Sequence, residues 1–239
     1  MGMNFNYEAK KKVINQSYNA GMARYMNLVY ANMSKALGIS GLVAFLVSLS
    51  PSIMGAIFGT PLAFVVMFAP LVVVLMFSFK IGKMPYSAAL NVFYIYSALV
   101  GLSLSFIFLS YTGTSILRVF FITSATFAGM SLYGHNTKKD LTSFGSFLMM
   151  GLWGVIIASL VNIFLKSSGL QFAISLISVF VFIGLTAYDT QKIKQMYYAC
   201  DGMDIDNAKK VALMGSLSLY MDFINLFVSL LRFFGERRD

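Results

Sequence analysis

Charged residues and cysteine are both scarce in this chain of 239 residues. Asp, Glu, Lys and Arg together make up 11% of it, whereas a soluble domain contains about 25% of these residues. The single cysteine, Cys200, excludes an intrachain disulfide. Residues 84–117 contain no charge at all. Together with 58% hydrophobic residues and a mean hydropathy of +0.76, these absences exclude a soluble domain and predict an all-α polytopic membrane protein.

Sequence patterns that mark common enzyme classes are absent as well. The only histidine, His135, lies in a polar stretch, and the chain has no zinc-protease, hydrolase, P-loop or dinucleotide-binding motif. Intramembrane aspartyl proteases need two membrane aspartates, but the glycines of their Gly-x-Gly-Asp hallmark are missing before Asp222. We therefore expect no enzymatic activity and no cofactor.

Seven apolar segments are each long enough to cross a bilayer as a helix. They are residues 31–50, 57–79, 86–109, 115–133, 143–165, 170–188 and 211–231. The sequence predicts three parts, namely a basic N-terminal segment (1–30), a single seven-helix domain (31–235) and a short tail (236–239).

Basic residues are unevenly divided between the two sides of this arrangement. One side carries twelve of them, namely Lys10, Lys11, Lys12, Arg24, Lys80, Lys83, Lys138, Lys139, Lys192, Lys194, Lys209 and Lys210. The other side has Lys166, with Arg118 just inside a span. The positive-inside rule therefore predicts a cytoplasmic N-terminus, and the clustered charge favours acidic lipid headgroups over nucleic acid as a partner.

The basic C-terminal tail conflicts with that orientation. With seven complete spans, Arg232, Arg237 and Arg238 would lie outside the cell. The alternative is a last helix that re-enters the membrane and returns. We favour seven complete spans.

The last apolar segment carries a narrow polar stripe. At about 100° per residue, six residues fall on one side of the helix. They are Gly215, Ser218, Asp222, Asn225, Ser229 and Arg232. Because a carboxylate at mid-membrane costs about 2.5–3.5 kcal/mol on insertion scales, we expect this helix to be surrounded by others, with its stripe facing a partner helix, a water-filled path or both.

Two aspartates lie within or at the end of predicted spans. Asp222 is central in the seventh span, and Asp189 lies at the end of the sixth. Carboxyl groups that approach each other tend to share one proton, and hard divalent cations such as calcium favour carboxylate oxygens. The alternative is that each aspartate caps a helix or pairs with a lysine. Asp140, beside Lys138 and Lys139, is interpreted as a solvated loop charge.

Several motifs resemble those of the Bax inhibitor-1 family (transmembrane Bax-inhibitor motif proteins), in a bacterial form. The most specific are residues 184–191 (GLTAYDTQ) followed by 192–194 (KIK), and residues 218–227 (SLYMDFINLF) with 230–235 (LLRFFG). Further similar stretches are 21–30 (GMARYMNLVY), 111–113 (YTG), 131–134 (SLYG) and 138–141 (KKDL). The resemblance covers residues 21–235.

That resemblance implies a fold in which two groups of three helices surround the last helix. It also implies a pH-sensitive calcium leak channel of the bacterial inner membrane, whose sensor is an aspartate pair that matches Asp189 and Asp222. In the calcium-leak members, an arginine near the end of the second span latches onto the aspartate that Asp189 matches. Here Lys80 and Lys83 stand in that region, and a lysine lacks the bidentate fork of arginine.

The residues and the resemblance together predict a cation channel, with calcium as permeant ion and bound metal at the pair. Ser218, Asn225, Ser229 and Arg232 are expected to line the pathway, and Lys80 or Lys83 to form the latch. The alternative is a non-conducting regulator that binds a membrane protease or another membrane protein. In that case the stripe would only hold helices together, through contacts worth about 0.6 kcal/mol each.

Overall fold

The computed structural model describes residues 2–200 and 203–238, with side chains described from Asn19 onward. This part of the chain is almost entirely helical. The helices are α1 (Gly2–Ser48), α2 (Pro51–Phe58), α3 (Leu62–Lys80), α4 (Tyr86–Leu104), α5 (Ile107–Ser110), α6 (Gly113–Asn136), α7 (Thr142–Leu165), α8 (Ser168–Ala199) and α9 (Ile205–Phe234). A single 3-10 turn, Ile81–Lys83, follows α3.

Seven stretches of the described chain are long and apolar enough to cross a membrane. They are Asn19–Ser48, Leu62–Lys83, Tyr86–Ser110, Gly113–Asn136, Thr142–Leu165, Ser168–Ala199 and Ile205–Phe234. The prediction of an all-α polytopic protein with seven spans is thus confirmed. We call the end of the bundle at which residues 81–85 and 137–141 lie and α8 ends the basic face, and the other end the opposite face.

The last helix, α9, is the centre of the bundle. It packs against α1 and α4 on one side and against α6 and α8 on the other. Among the 18 most apolar consecutive residues of α9, 61% are buried, whereas the corresponding fractions for α3 and α7 are 17% and 11%. Helix α3 packs on α4, and α7 packs on α8. Two three-helix groups, α1–α3–α4 and α6–α7–α8, therefore surround α9, as the resemblance implies.

Glycines allow close approach at two helix crossings. A Cβ atom on Gly134 of α6 would overlap the backbone of Ala187 in α8. One on Gly101 of α4 would overlap the backbone of Ser40 in α1. Because helices in a bilayer gain little from hydrophobic association, such backbone contacts are a main source of packing energy.

Helix α9 crosses the bundle once, and residues 236–238 lie at the opposite face. The tail is held there by backbone hydrogen bonds, in which Thr112 N donates to Glu236 O (3.1 Å) and Arg238 N donates to Ser110 O (3.0 Å). Arg118 also forms a salt bridge with Glu236 (3.2 Å). The alternative of a re-entrant last helix is therefore wrong.

The two largest differences from the predicted helix boundaries are in α1 and α8, while smaller ones place the start of α3 at Leu62 rather than 57 and that of α9 at Ile205 rather than 211. Helix α1 begins well before residue 31, and Met22, Met26 and Val29 are buried in the core. Helix α8 continues to Ala199 and α9 begins at Ile205, so most of the stretch 191–210, which was expected to be a polar loop, is helical. The side chains of Lys10, Lys11 and Lys12 lie outside the described part of the structure. The basic N-terminal segment over 1–30 therefore stays a prediction.

Candidate aspartate-pair site

The two predicted aspartates meet where α8 packs on α9. Asp222 is 5% exposed, and Asp189 is partly buried. Their carboxyl groups lie close enough to interact directly. Two carboxyl groups in such proximity tend to share one proton, because a single proton between them replaces the repulsion of two negative charges by a hydrogen bond.

A small residue on the polar stripe allows α8 and α9 to approach closely, and its position helps to set the register between these two helices. Gly215 of α9 lies against Ile193 of α8, where a Cβ atom would come within 3.0 Å of the isoleucine side chain. Asp189 lies one helical turn before Ile193, and Asp222 lies two turns after Gly215. The antiparallel helices thereby bring the carboxyl groups together. Because α8 runs ten residues past Asp189, about 15 Å, this aspartate lies well inside its helix rather than at its end.

One oxygen of the pair has no donor. Asp222 Oδ2 is buried and receives no hydrogen bond from the described residues. A buried acceptor without a partner costs about 1–3 kcal/mol, and more when it is charged. Such an atom is suited to bind a proton or a cation, since either would remove that cost.

Few positive charges act on the pair. Lys192, close to Asp189 along α8, is exposed, attracts the Asp189 carboxylate and lies over the ring of Tyr188 at 5.8 Å. Lys80 and Lys83 are exposed near the basic face. The salt bridges within the described chain join Arg118 to Glu236 and Lys210 to Asp206. The lysine latch is therefore not formed in this arrangement and stays a prediction.

A chain of hydroxyl groups runs beside the pair and ties α1, α6 and α8 together. Tyr30 OH lies 2.6 Å from Ser131 Oγ, which lies 3.0 Å from Thr190 Oγ1. Thr190 in turn donates to Thr186 O at 2.7 Å. The sequence reasoning missed this chain as a functional feature. Ser131 and Thr190 both lie in the family-like motifs at 131–134 and 184–191, but nothing in those motifs indicates that their hydroxyl groups pair.

The remaining stripe residues differ in their surroundings. Ser229 is buried and donates to Asn225 O at 2.7 Å, while Ser218 and Asn225 are partly buried. Arg232 is exposed toward the opposite face. Since Asp222 is 5% exposed, bulk water has little access to the centre of the stripe.

A resident metal ion would need more ligands than the pair supplies. Within the described chain no group of three or more His, Cys, Asp or Glu side chains could hold a metal. Two carboxylates provide at most four oxygens, whereas calcium takes 6–8. The donor set of the pair is therefore too small for a structural calcium site by itself.

Asp140 has a separate role at the basic face. Its Oδ1 accepts hydrogen bonds from Thr142 N (2.9 Å) and Thr142 Oγ1 (2.6 Å), at the first residue of α7. These bonds lower the pKa of Asp140, which is fully exposed. This carboxylate caps a helix and takes no part in the buried pair.

The fold and the site define a multi-pass helical membrane protein with a carboxyl pair buried against its central helix. Comparison with known proteins identifies the family: the profile described as "Inhibitor of apoptosis-promoting Bax1" matches residues 22–239. The chain belongs to the Bax inhibitor-1 family.

The chain also matches bacterial proteins along almost its whole length. It is 49% identical to the uncharacterized protein RP147 of Rickettsia prowazekii, over 94% of both chains. It is 44% identical to the inner membrane protein YbhL of Escherichia coli, over 92% of this chain and 94% of YbhL. An uncharacterized protein of Borreliella burgdorferi is 46% identical over 90% of this chain and 93% of its own length.

Proposed function

We propose that the protein is a pH-sensitive leak channel for calcium and other cations, gated by the contact between Asp189 and Asp222. The observation that carries this proposal is a pair of carboxyl groups inside the bundle, one of them with an oxygen that no donor reaches. Ionisable groups at membrane depth mark ion and proton pathways far more often than structural contacts.

The shared proton gives the pair two states. With one proton between them, the carboxyl groups attract each other and hold α8 against α9. When that proton leaves, two negative charges about 4 Å apart repel by about 4 kcal/mol at an effective dielectric constant of 20. Helix separation or entry of a divalent cation relieves this repulsion. Cation flux is therefore expected to increase as the pH rises.

The same proposal assigns the location and orientation of the protein. The name of the Escherichia coli relative, an inner membrane protein, supports a bacterial inner membrane. The basic face carries Lys138, Lys139 and Lys194, which supports its placement on the cytoplasmic side together with the N-terminus. At the opposite face the charge of Arg118 is offset by Glu236, with which it forms a salt bridge.

The test is calcium flux into liposomes that contain the purified protein and an internal indicator, between pH 5 and pH 9. Asp222→Asn and Asp189→Asn keep the size of the side chain but cannot lose a proton, so each is expected to abolish the dependence on pH. Asp140→Asn is the matched control, since an asparagine still caps α7 and the exposed loop is outside the pair.

Each other outcome has a definite meaning. If both pair variants keep the wild-type pH profile, the assignment of the sensor is wrong. Flux that falls as the pH rises would instead favour a latch in which Lys80 or Lys83 pairs with an ionised aspartate. If a folded protein gives no flux at any pH, the channel is refuted in favour of the non-conducting regulator, for which a membrane-protein partner should co-purify in constant proportion.

A further inference from the structure

A long groove lies between α1 and α6, and α9 forms its floor. Its larger part is a cavity of about 870 Å³, within the range of pockets that hold small organic ligands, about 300–1,000 Å³. The lining is mainly apolar and includes Met26, Leu37, Phe127 and, on the floor, Phe223. We call this cavity the α1–α6 groove.

The depth of the groove corresponds to one leaflet of a bilayer and its headgroups. On α6 it extends from His135 near the basic face to Phe120, a distance of 15 residues or about 22 Å. Half of the hydrocarbon core measures about 15 Å. A second, almost wholly apolar cavity of about 410 Å³ continues from Phe120 and Phe223 toward the opposite face. The α1–α6 groove thus begins at headgroup level and reaches the middle of the membrane.

A positively charged pocket lies at the mouth of the groove. His135 lines both the groove and a polar cavity of about 250 Å³ at the basic face, which Lys138, Lys139 and Lys194 also line. Lys194 Nζ donates to His135 O at 2.9 Å, which fixes its position there. The one carboxylate in this pocket, Asp140, is engaged by Thr142 through hydrogen bonds. The pocket therefore has a net positive charge and lies next to the apolar α1–α6 groove.

We propose that this composite site binds one anionic phospholipid. An acyl chain lies in the α1–α6 groove, and the phosphate of the headgroup lies against Lys138, Lys139 and Lys194. Lysine binds phosphate as a point charge, and basic clusters at the membrane surface attract anionic lipid. The groove opens sideways at the depth where lipid chains are the surrounding solvent. The proposal does not depend on conduction, because binding is measured without flux.

The headgroup half of the site can be tested by native mass spectrometry of the purified full-length protein. Dioleoylphosphatidylglycerol and dioleoylphosphatidylcholine are offered at equal concentration, and the retained lipid is counted. We expect a single phosphatidylglycerol to be retained, with a preference of about tenfold that Lys138→Gln/Lys139→Gln removes. Lys166→Gln/Arg237→Gln deletes the same charge from the opposite face and should leave the preference unchanged.

The groove half has its own pair of variants. A Cβ atom on Gly38, which lines the groove, or on Gly154 of α7 would meet no atom within 4 Å. Both glycines are also exposed, so the first atom of a larger side chain has room at either position. Gly38→Leu fills the groove and should reduce retention of both lipids, whereas Gly154→Leu should retain them as the wild type does.

Each of the following results would overturn the proposal. Equal retention of the two lipids, or a preference that survives Lys138→Gln/Lys139→Gln, would remove the headgroup site. Unchanged retention in Gly38→Leu would place the lipid elsewhere. Complete displacement of the lipid by water-soluble glycerol phosphate would show a phosphate site that uses no acyl chain. A dimer that forms across the groove, with no lipid bound, would identify a second copy of the chain as the occupant instead.

Discussion

Gly134 offers the sharpest test of how the helices around the aspartate pair are held. A Cβ atom at this position would overlap the backbone of Ala187 in α8, and a helix backbone cannot rotate away as a side chain can. Gly134→Ala must therefore push α6 and α8 apart. Overpacking of this kind costs about 1–3 kcal/mol. The helix itself gains about 0.5–1 kcal/mol when alanine replaces glycine.

Gly129→Ala is the matched control on the same helix. Gly129 is exposed, and a Cβ atom there meets nothing within 4 Å, so this variant receives the gain in helix propensity without the overlap. Because the propensity gain is common to both, Gly134→Ala should be less stable than Gly129→Ala by about 1–3 kcal/mol. For a protein of this size each kcal/mol corresponds to about 2–4 °C in Tm, which thermal unfolding in detergent resolves.

The two alanine variants also differ in what they do to the site. Ser131 lies three residues before Gly134, and its contact with Thr190 (3.0 Å) spans the same helix crossing. If α6 and α8 separate, that contact lengthens beside Asp189, and the pH profile of flux should shift in Gly134→Ala but not in Gly129→Ala. Equal melting temperatures for the two variants would refute the reasoning, since they would show that the backbones do not touch.

Two further changes test contacts at the core and at the tail. Tyr220→Phe removes a buried hydroxyl that lies 2.7 Å from Ser40 Oγ. The variant should lose about 0.5–1.5 kcal/mol of unfolding free energy, which thermal unfolding measures. An unchanged Tm would show that this hydrogen bond adds nothing to stability. Glu236→Gln removes the exposed salt bridge with Arg118 and should lower the free energy of unfolding by at most about 1 kcal/mol. This difference should disappear in 1 M salt. A larger loss of stability that persists in salt would contradict a surface ion pair.

The number and order of the spans could be predicted from the sequence, but two of their ends could not. Apolar runs of about 20 residues have few alternatives in a membrane protein. The ends of α1 and α8 were misplaced because each helix continues as a half-polar extension. Ile193 is buried in the extension of α8, between the exposed residues Lys192 and Gln195. A hydropathy threshold cannot distinguish such an amphipathic turn from a loop.

The central pair could be predicted because its residues are rare. An aspartate in the middle of an apolar helix is conspicuous, and Asp189 directly follows the sixth predicted span. The chain from Tyr30 through Ser131 to Thr190 could not be predicted, since serine, threonine and tyrosine occur throughout the bundle. Their pairing depends on which helices are neighbours and on their rotation. The open mouth of the α1–α6 groove depends on the same geometry.

Tyr220 and Asp222 lie two residues apart on α9 and show two different ways of burying a polar group. The hydroxyl of Tyr220 lies 2.7 Å from Ser40 Oγ, which in turn donates to Ser97 O at 2.7 Å. The Tyr220 hydroxyl thus has a hydrogen-bond partner within a network that joins α9, α1 and α4. Asp222 Oδ2 has no such donor. A helix that needed only a structural polar contact at this depth would be served better by asparagine, which brings its own donor. A carboxyl group at this position agrees with the proposed function, in which its proton or a bound cation changes.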